Sequence, residues 1–215
     1  MNNKYNKISE STINRYNSRL DIHGKDIKTL GWGNAEQQEF RFTNILQATD
    51  FNKKNVLDIG CGFGDLYDFF KKSKIDIQSY TGWDLNVNLI KKANNIEDKI
   101  VKYEIVDITK SADSIKDKFD IGIMLGLLNY KLESDKLNYE YSSSIIKNAF
   151  NNVKEVLIVD FISAFISPNY PKEDFIFYHD PQIILSTALE ITSNVVLKHN
   201  YNPIPQKEFM LYIYK

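Results

Sequence analysis

The sequence predicts an α/β protein built on a doubly wound, seven-stranded sheet, mostly parallel with an antiparallel C-terminal strand. Three observations predict it. Short apolar runs alternate with helical patterns through the middle of the chain, which is how parallel strands with covering helices read. The first run, "NVLDI" at 55–59, stops at a turn carrying Gly60, Gly62 and Gly64. The chain closes on "NVVLKHNYNPIPQKEFMLYIYK", two strand-like runs joined by a Pro-containing turn with no long helix between them, so the last strands pair antiparallel.

The elements follow in order. Residues 8–20 and 34–49 read as helices. In the second, Phe40, Ile45 and Leu46 share a face and Asn34 supplies an N-cap oxygen. Between them "HGKDIKTLGWG" reads as a glycine-rich loop. After the strand at 55–59 and its turn comes a helix at 65–73. A second strand ends at Asp84, and a helix follows at 86–94. A third strand, 102–106, ends at Asp107. The fourth, "FDIGIML" at 119–125, leads into a loop with Asn129 and Tyr130. A helix at 139–150 precedes a fifth strand at 155–162. A loop at 160–180 is aromatic and long enough to cover a pocket. Asp180 then caps a helix that has Pro181 at its first position. One domain is expected, with residues 1–50 as an N-terminal helical lid and 51–215 as the core.

Composition narrows the function. The 215 residues are 43% hydrophobic and 13% aromatic, a globular balance. Lys+Arg is 27 against 28 for Asp+Glu, so no basic excess is present to neutralise a phosphate backbone, and a nucleic-acid partner is disfavoured. The polar start "MNNKYNKISESTINRYNSR" lacks a signal-type apolar stretch, and the longest apolar run, "IGIMLGLL", is far short of a membrane span. Cytoplasm is the expected compartment. The single cysteine, Cys61, excludes an internal disulfide. No metal is expected.

The glycine turn after a buried strand requires backbone conformations open mainly to glycine, and it lets a ligand approach the main chain. Close packing of strand on helix selects glycine for the same reason, so context must decide. Asp84 lies 20 residues beyond Gly64, where an acid meets ribose hydroxyls in a nucleotide-binding fold. Parallel strands place their C-terminal ends on one edge, so Asp58, Asp84 and Asp107 are expected to converge on one crevice. Three acids suit a ligand that carries positive charge and hydrogen-bond donors. S-adenosylmethionine has a sulfonium, an ammonium, ribose hydroxyls and an adenine amine. The pyrophosphate of NAD would be repelled.

"VLDIGCGFGD", "YTGWDLN" and "YEIVDI" together resemble the class I S-adenosylmethionine-dependent methyltransferases of small-molecule type, over roughly residues 55–160. The resemblance implies a Rossmann-like sheet, with S-adenosylmethionine as methyl donor and S-adenosylhomocysteine as product. It also implies residue roles. The Gly60, Cys61 and Gly62 backbone lines the methionyl part, and Asp58 orders the amine. Asp84 accepts the ribose hydroxyls, and Leu85 packs on the adenine. Asp107 accepts from the adenine amine beside Ile108. Leu125 and Gly126 pass under the sulfonium.

The expected acceptor is a small polar metabolite, methylated on the oxygen of a sugar, nucleotide-linked or carboxylate group, with a surface-polysaccharide precursor one such case. The loop "GLLNY" has no proline, unlike the Asn/Asp-Pro-Pro-aromatic motif of enzymes that methylate base amines. His179, His23 and Asn129 are the candidate catalytic residues, because loop histidines are natural bases near neutral pH. Arg15, Tyr16, Trp32, Gln37, Arg41 and Tyr130 are candidates for substrate contact or lid closure. An aromatic face such as Trp32 stabilises a nearby sulfonium, and Arg41 suits a carboxylate or phosphate. An NAD-dependent oxidoreductase and a non-catalytic S-adenosylmethionine-binding protein are the alternatives.

Overall fold

A computed structural model describes residues 2–93, 98–110, 118–166, 171–200 and 207–215. The chain runs α1 (Asn2–His23), α2 (Ile27–Leu30), α3 (Ala35–Ile45), β1 (Asn55–Ile59), α4 (Asp65–Lys72), β2 (Ser79–Asp84), α5 (Val87–Ala93) and β3 (Val101–Ile105). It continues through β4 (Phe119–Met124), α6 (Asp135–Phe150), β5 (Val153–Ile162), α7 (Pro181–Leu189), β6 (Val195–Lys198) and β7 (Glu208–Tyr214).

The seven strands form one sheet in the order β3-β2-β1-β4-β5-β7-β6. Pairs from β3 through β5 are parallel, and β7 runs antiparallel to both β5 and β6. The predicted doubly wound sheet with an antiparallel end is therefore present. The strand order reverses at β1, which has β2 on one side and β4 on the other. Ligands of such sheets bind at the carboxyl ends of the strands beside that reversal.

Alternation along the strands builds a core on each face. Leu57 and Ile59 of β1 and Leu157, Val159 and Phe161 of β5 pack with α6 and α7 through Ile145, Ile146 and Ile184. Val56 of β1 and Val156 and Ile158 of β5 point the other way, into Phe42, Ile45, Leu66, Phe69 and Phe70 of α3 and α4. Each fully buried aliphatic or aromatic side chain contributes about 1.5–3 kcal/mol, so the two layers are the main source of stability.

Capping chemistry fixes several helix starts. Asn34 accepts the Gln37 N–H at 2.8 Å and Asp180 accepts the Gln182 N–H at 2.8 Å, both as expected. Ser134 caps α6 through the Leu137 N–H, so this helix starts at Asp135 and not at 139. The glycine-rich loop contains the short α2, capped by Asp26 and closed by Gly31 at φ 88°. The first helix is longer than 8–20 at both ends. Its polar N-terminal turns are held from outside, where Lys4 bonds Glu140 and the Tyr5 ring meets Tyr141 edge-on at 5.5 Å. The third strand ends at Ile105, two residues before Asp107. The expected Pro-containing turn before the last strand, and part of the 160–180 loop, lie outside the described residues.

Candidate functional site

The turn after β1 is built backbone first. Gly60, Gly62 and Gly64 have φ values of 80°, 55° and 82°, a region that side-chain-bearing residues adopt only under strain. The Gly60 and Cys61 N–H groups donate to the Trp83 carbonyl at 2.7 and 3.1 Å, which locks the turn to β2. The Gly62 N–H donates to Asp84 at 3.1 Å. A side chain at Gly64 would strike the Tyr103 hydroxyl, so that glycine serves packing. At Gly60 and Gly62 the nearest atoms are the tips of Leu127 and Leu30, which both border the cavity described next.

That cavity lies where the strand order reverses and encloses about 890 Å³ of empty space, counting its mouth. Its floor is the glycine turn with Asp58, Asp84 and Leu85. Ile108, Leu125 and Gly126 form one wall, and Thr12, Tyr16, Trp32 and Gln38 come from the N-terminal helices. Of the residues read from the sequence, Asp58, Gly60, Cys61, Gly62, Asp84, Leu85, Ile108, Leu125, Gly126, Tyr16 and Trp32 meet here.

Three acids line the cavity, and no cationic side chain does so among the described residues. Burial pushes the Asp58 carboxyl up to about 7, although a hydrogen bond from the Tyr80 hydroxyl opposes the rise. Burial also raises Asp84 against the N–H bonds it accepts from Asn86, Gly62 and Leu85. Asp65 is raised by burial too, and the bond from Gln38 at 2.9 Å and the charge of Lys25 hold it back. Desolvated carboxylates with no cationic side chain among the lining residues make a site that favours a cation or a cluster of donors.

Asp65 was not among the expected acids, although it directly follows Gly64 in the motif. Gln38, which holds it, was passed over for Gln37, its neighbour in the helix. Gln37 instead uses its carbonyl to accept from Arg41 at 2.9 Å.

Asp107 departs from the expectation. It does not line the cavity, because the chain leaves β3 before reaching it and the carboxylate caps a turn. It accepts from Thr109 and, at 2.9 Å, from Ser9 of α1, and it pairs with Lys110 at 3.2 Å. Burial pushes its pKa up, but these bonds together hold it below the ordinary carboxylate value.

The three catalytic candidates are not brought to the cavity. His179 is completely buried. Phe161, Phe177 and Tyr139 surround its ring, and its Nε2 lies 3.0 Å from the Leu128 carbonyl. Burial lowers its pKa to about 4, against that hydrogen bond. It is a core residue that spaces two loops. Asn129 is a staple, accepting the Ile162 N–H at 2.9 Å through its side chain and the Phe177 N–H at 3.0 Å through its carbonyl. His23 ends α1 and is exposed.

Arg41 also corrects the expectation. It is buried, ion-paired with Asp160 at 3.4 Å and with Glu208, and stacked over the Trp32 ring at 4.6 Å. Its charge is consumed inside the protein. Arg15 lies over the Tyr130 ring at 4.2 Å, at the edge of a second cavity.

No protein-family model and no protein of curated function matches the sequence. Solved structures match the fold throughout. Magnesium protoporphyrin IX methyltransferase (ChlM) from Synechocystis PCC 6803, determined with bound S-adenosylhomocysteine, superposes with a TM-score of 0.64 at 14% identity, covering 96% of this chain and 99% of that one. A methyltransferase from Clostridium acetobutylicum gives 0.60 at 14% identity over 92% and 98% of the two chains. One from Archaeoglobus fulgidus gives 0.60 at 14% over 85% and 95%. The fold is that of the class I S-adenosylmethionine-dependent methyltransferases.

Proposed function

We propose that this protein transfers the methyl group of S-adenosylmethionine to oxygen on a small polar acceptor, a sugar, nucleotide-linked or carboxylate group. The observation that carries the reading is the set of buried acids Asp58, Asp65 and Asp84 around a glycine turn at the strand-order reversal, in a cavity lined by no cation among the described residues. ChlM acts on magnesium protoporphyrin IX, so the shared fold leaves the acceptor open.

The residues present fit the donor. One oxygen of Asp84 accepts the Gly62 N–H at 3.1 Å and the other the Asn86 N–H at 2.8 Å, with the Leu85 N–H beside them, which aims the carboxylate into the cavity where it would accept from ribose hydroxyls. The Gly60–Gly62 backbone lines the methionyl chain and Asp58 faces its ammonium. Leu85 and Ile108, which both line the cavity, would hold the adenine. Leu125 and Gly126 would border the sulfonium, with the Trp32 ring edge closing that wall against Gly126. Asp107 reaches the adenine amine only if Ser9 releases it. Residues 1–50 act as a lid over the donor.

Bound S-adenosylmethionine supplies a methyl carbon already activated by its sulfonium. Transfer to oxygen would exchange the C–S bond for a C–O bond, with the electron pair staying on sulfur; a carboxylate acceptor has no proton to lose, and a hydroxyl acceptor would pass its proton to solvent at the cavity mouth. The protein's part is alignment and exclusion of water, and positioning supplies about 7–11 kcal/mol against about 3–5 kcal/mol for a general base. This accounts for an enzyme in which none of the three candidate catalytic side chains reaches the cavity.

Titration calorimetry with S-adenosylmethionine, S-adenosylhomocysteine and NAD tests the reading. Micromolar binding of the adenosyl pair, no binding of NAD and methyl transfer to at least one acceptor in a metabolite panel are expected. NAD binding, or no binding by any of the three, would overturn it.

A further inference from the structure

A second, more open cavity, about 930 Å³ of empty space counting its mouth, lies along α1. It is lined by Lys4, Lys7, Ile8 and Ser11 of that helix and by Tyr130, Lys131, Leu132, Glu133 and Leu137. The two cavities are lined by different residues of the same two segments. Thr12 and Tyr16 of α1 face the first, one helical turn beyond Ile8 and Ser11. The segment after β4 lines the first with Leu125–Leu127 and the second with Tyr130–Glu133.

Their charges are opposite. The first holds three acids. The second holds three lysines against Glu133. Lys4 is neutralised by Glu140 at 3.3 Å. Lys7 and Lys131 are exposed and have no carboxylate partner among the described residues, nor does Arg15 on the Tyr130 ring. Linings of opposite charge favour ligands of opposite sign.

We infer that the second cavity binds a phosphate or carboxylate group of the acceptor through Lys7 and Lys131, with Arg15 and Tyr130 at its inner edge. The inference rests on the methyl-transfer reading and deepens it. It also sets a size. Lys7 lies five positions before Thr12, the first α1 residue of the donor cavity, about 7.5 Å along the helix, so the acceptor's anionic group stands several ångströms from the atom methylated. A nucleotide-linked sugar or an extended carboxylate has that reach, and a two- or three-carbon acid does not.

The test is calorimetric titration of inorganic pyrophosphate, citrate and glucose into the protein at fixed ionic strength, with and without saturating S-adenosylhomocysteine, in the wild type and in K7E/K131E. At least one anion is expected to bind the wild type and to bind the double variant at least tenfold more weakly, while S-adenosylhomocysteine affinity stays within twofold. Preference for pyrophosphate or for citrate identifies phosphate or carboxylate as the group. K7A/K131A, with the same loss and an unchanged melting temperature, guards against misfolding by charge reversal. No anion binding to the wild type, or equal binding to wild type and variants, would overturn the inference. Failure of S-adenosylhomocysteine to bind would instead sink the donor assignment, and the titrations without it would still decide the anion site.

Discussion

Arg41 and Asp160 hold α3 to the sheet, with the guanidinium 3.4 Å from one carboxylate oxygen while the other oxygen accepts the Gly126 N–H at 2.6 Å. The contact joins α3 to the backbone at the cavity wall, and Trp32 completes it by lying between Arg41 and Gly126. Both side chains are almost fully buried, at 6% and 1% exposure. Removing one partner of a buried pair leaves an uncompensated charge, which costs about 3–5 kcal/mol. Arg41→Met is therefore expected to lower unfolding stability by that amount in urea, and Arg41→Met/Asp160→Asn to recover part of it. A loss under 1 kcal/mol in the single variant would show that the pair is not the anchor.

Asp84 carries the donor assignment. Two hydrogen bonds to a charged carboxylate, at about 1.5–3 kcal/mol each, predict that Asp84→Ala weakens S-adenosylmethionine binding by about 100-fold or more. Asp84→Asn keeps the shape and can still accept one bond, so its loss is expected to be smaller. Calorimetry on both variants checks this. Unchanged affinity in Asp84→Ala would remove Asp84 from the site.

The sheet was legible because its signals are local. Strand–turn–helix alternation, the Asn34 and Asp180 caps and the two closing runs each depend on a few adjacent residues. The cavity floor was legible for the same reason, since Asp58, Gly60, Gly62 and Asp84 sit at strand ends that parallel topology must bring together. Residues whose place depends on distant contacts were not. His179 looks like a loop base in sequence, yet a bridge between residues 163 and 179 draws it under Phe161 and Phe177. Arg41 looks solvated on its helix, yet Asp160 and Glu208, over a hundred residues away, enclose it. Asp107 looks free at a strand end until Ser9 arrives from α1.

His179 gives a test that separates a core role from a catalytic one. Burial holds its ring neutral until pH falls to about 4. Its ordinary value is about 6.5, so the unfolded chain binds the proton more tightly, and this residue's contribution to stability is lost as pH falls from 6.5 towards 4. His179→Leu is expected to lower the melting temperature, because the Leu128 carbonyl loses its partner at about 1–3 kcal/mol, and to leave kcat within a few-fold. A proton-detected NMR titration should find no imidazolium at pH 6. A fall of a hundredfold or more in kcat at unchanged stability would restore the base assignment.

On the proposed reading, Asp58 is expected to couple donor binding to pH. Its carboxyl titrates near 7 in the folded protein, against an ordinary value near 4, so between those pH values the folded state holds a proton that the unfolded state has lost. This residue's effect on stability therefore becomes less favourable as pH rises from 4 to 7. An ammonium or sulfonium placed beside it favours the ionised form, so donor binding must expel that proton. Affinity for S-adenosylmethionine is expected to rise between pH 5.5 and 8. Near pH 6, calorimetry in buffers of different ionisation enthalpy should show release of up to one proton per donor bound. Asp58→Asn cannot ionise and is expected to bind more weakly at every pH with the linked proton gone. If the wild type shows no proton release, Asp58 does not face the positive charge of the donor, and the orientation of the methionyl chain must be reversed.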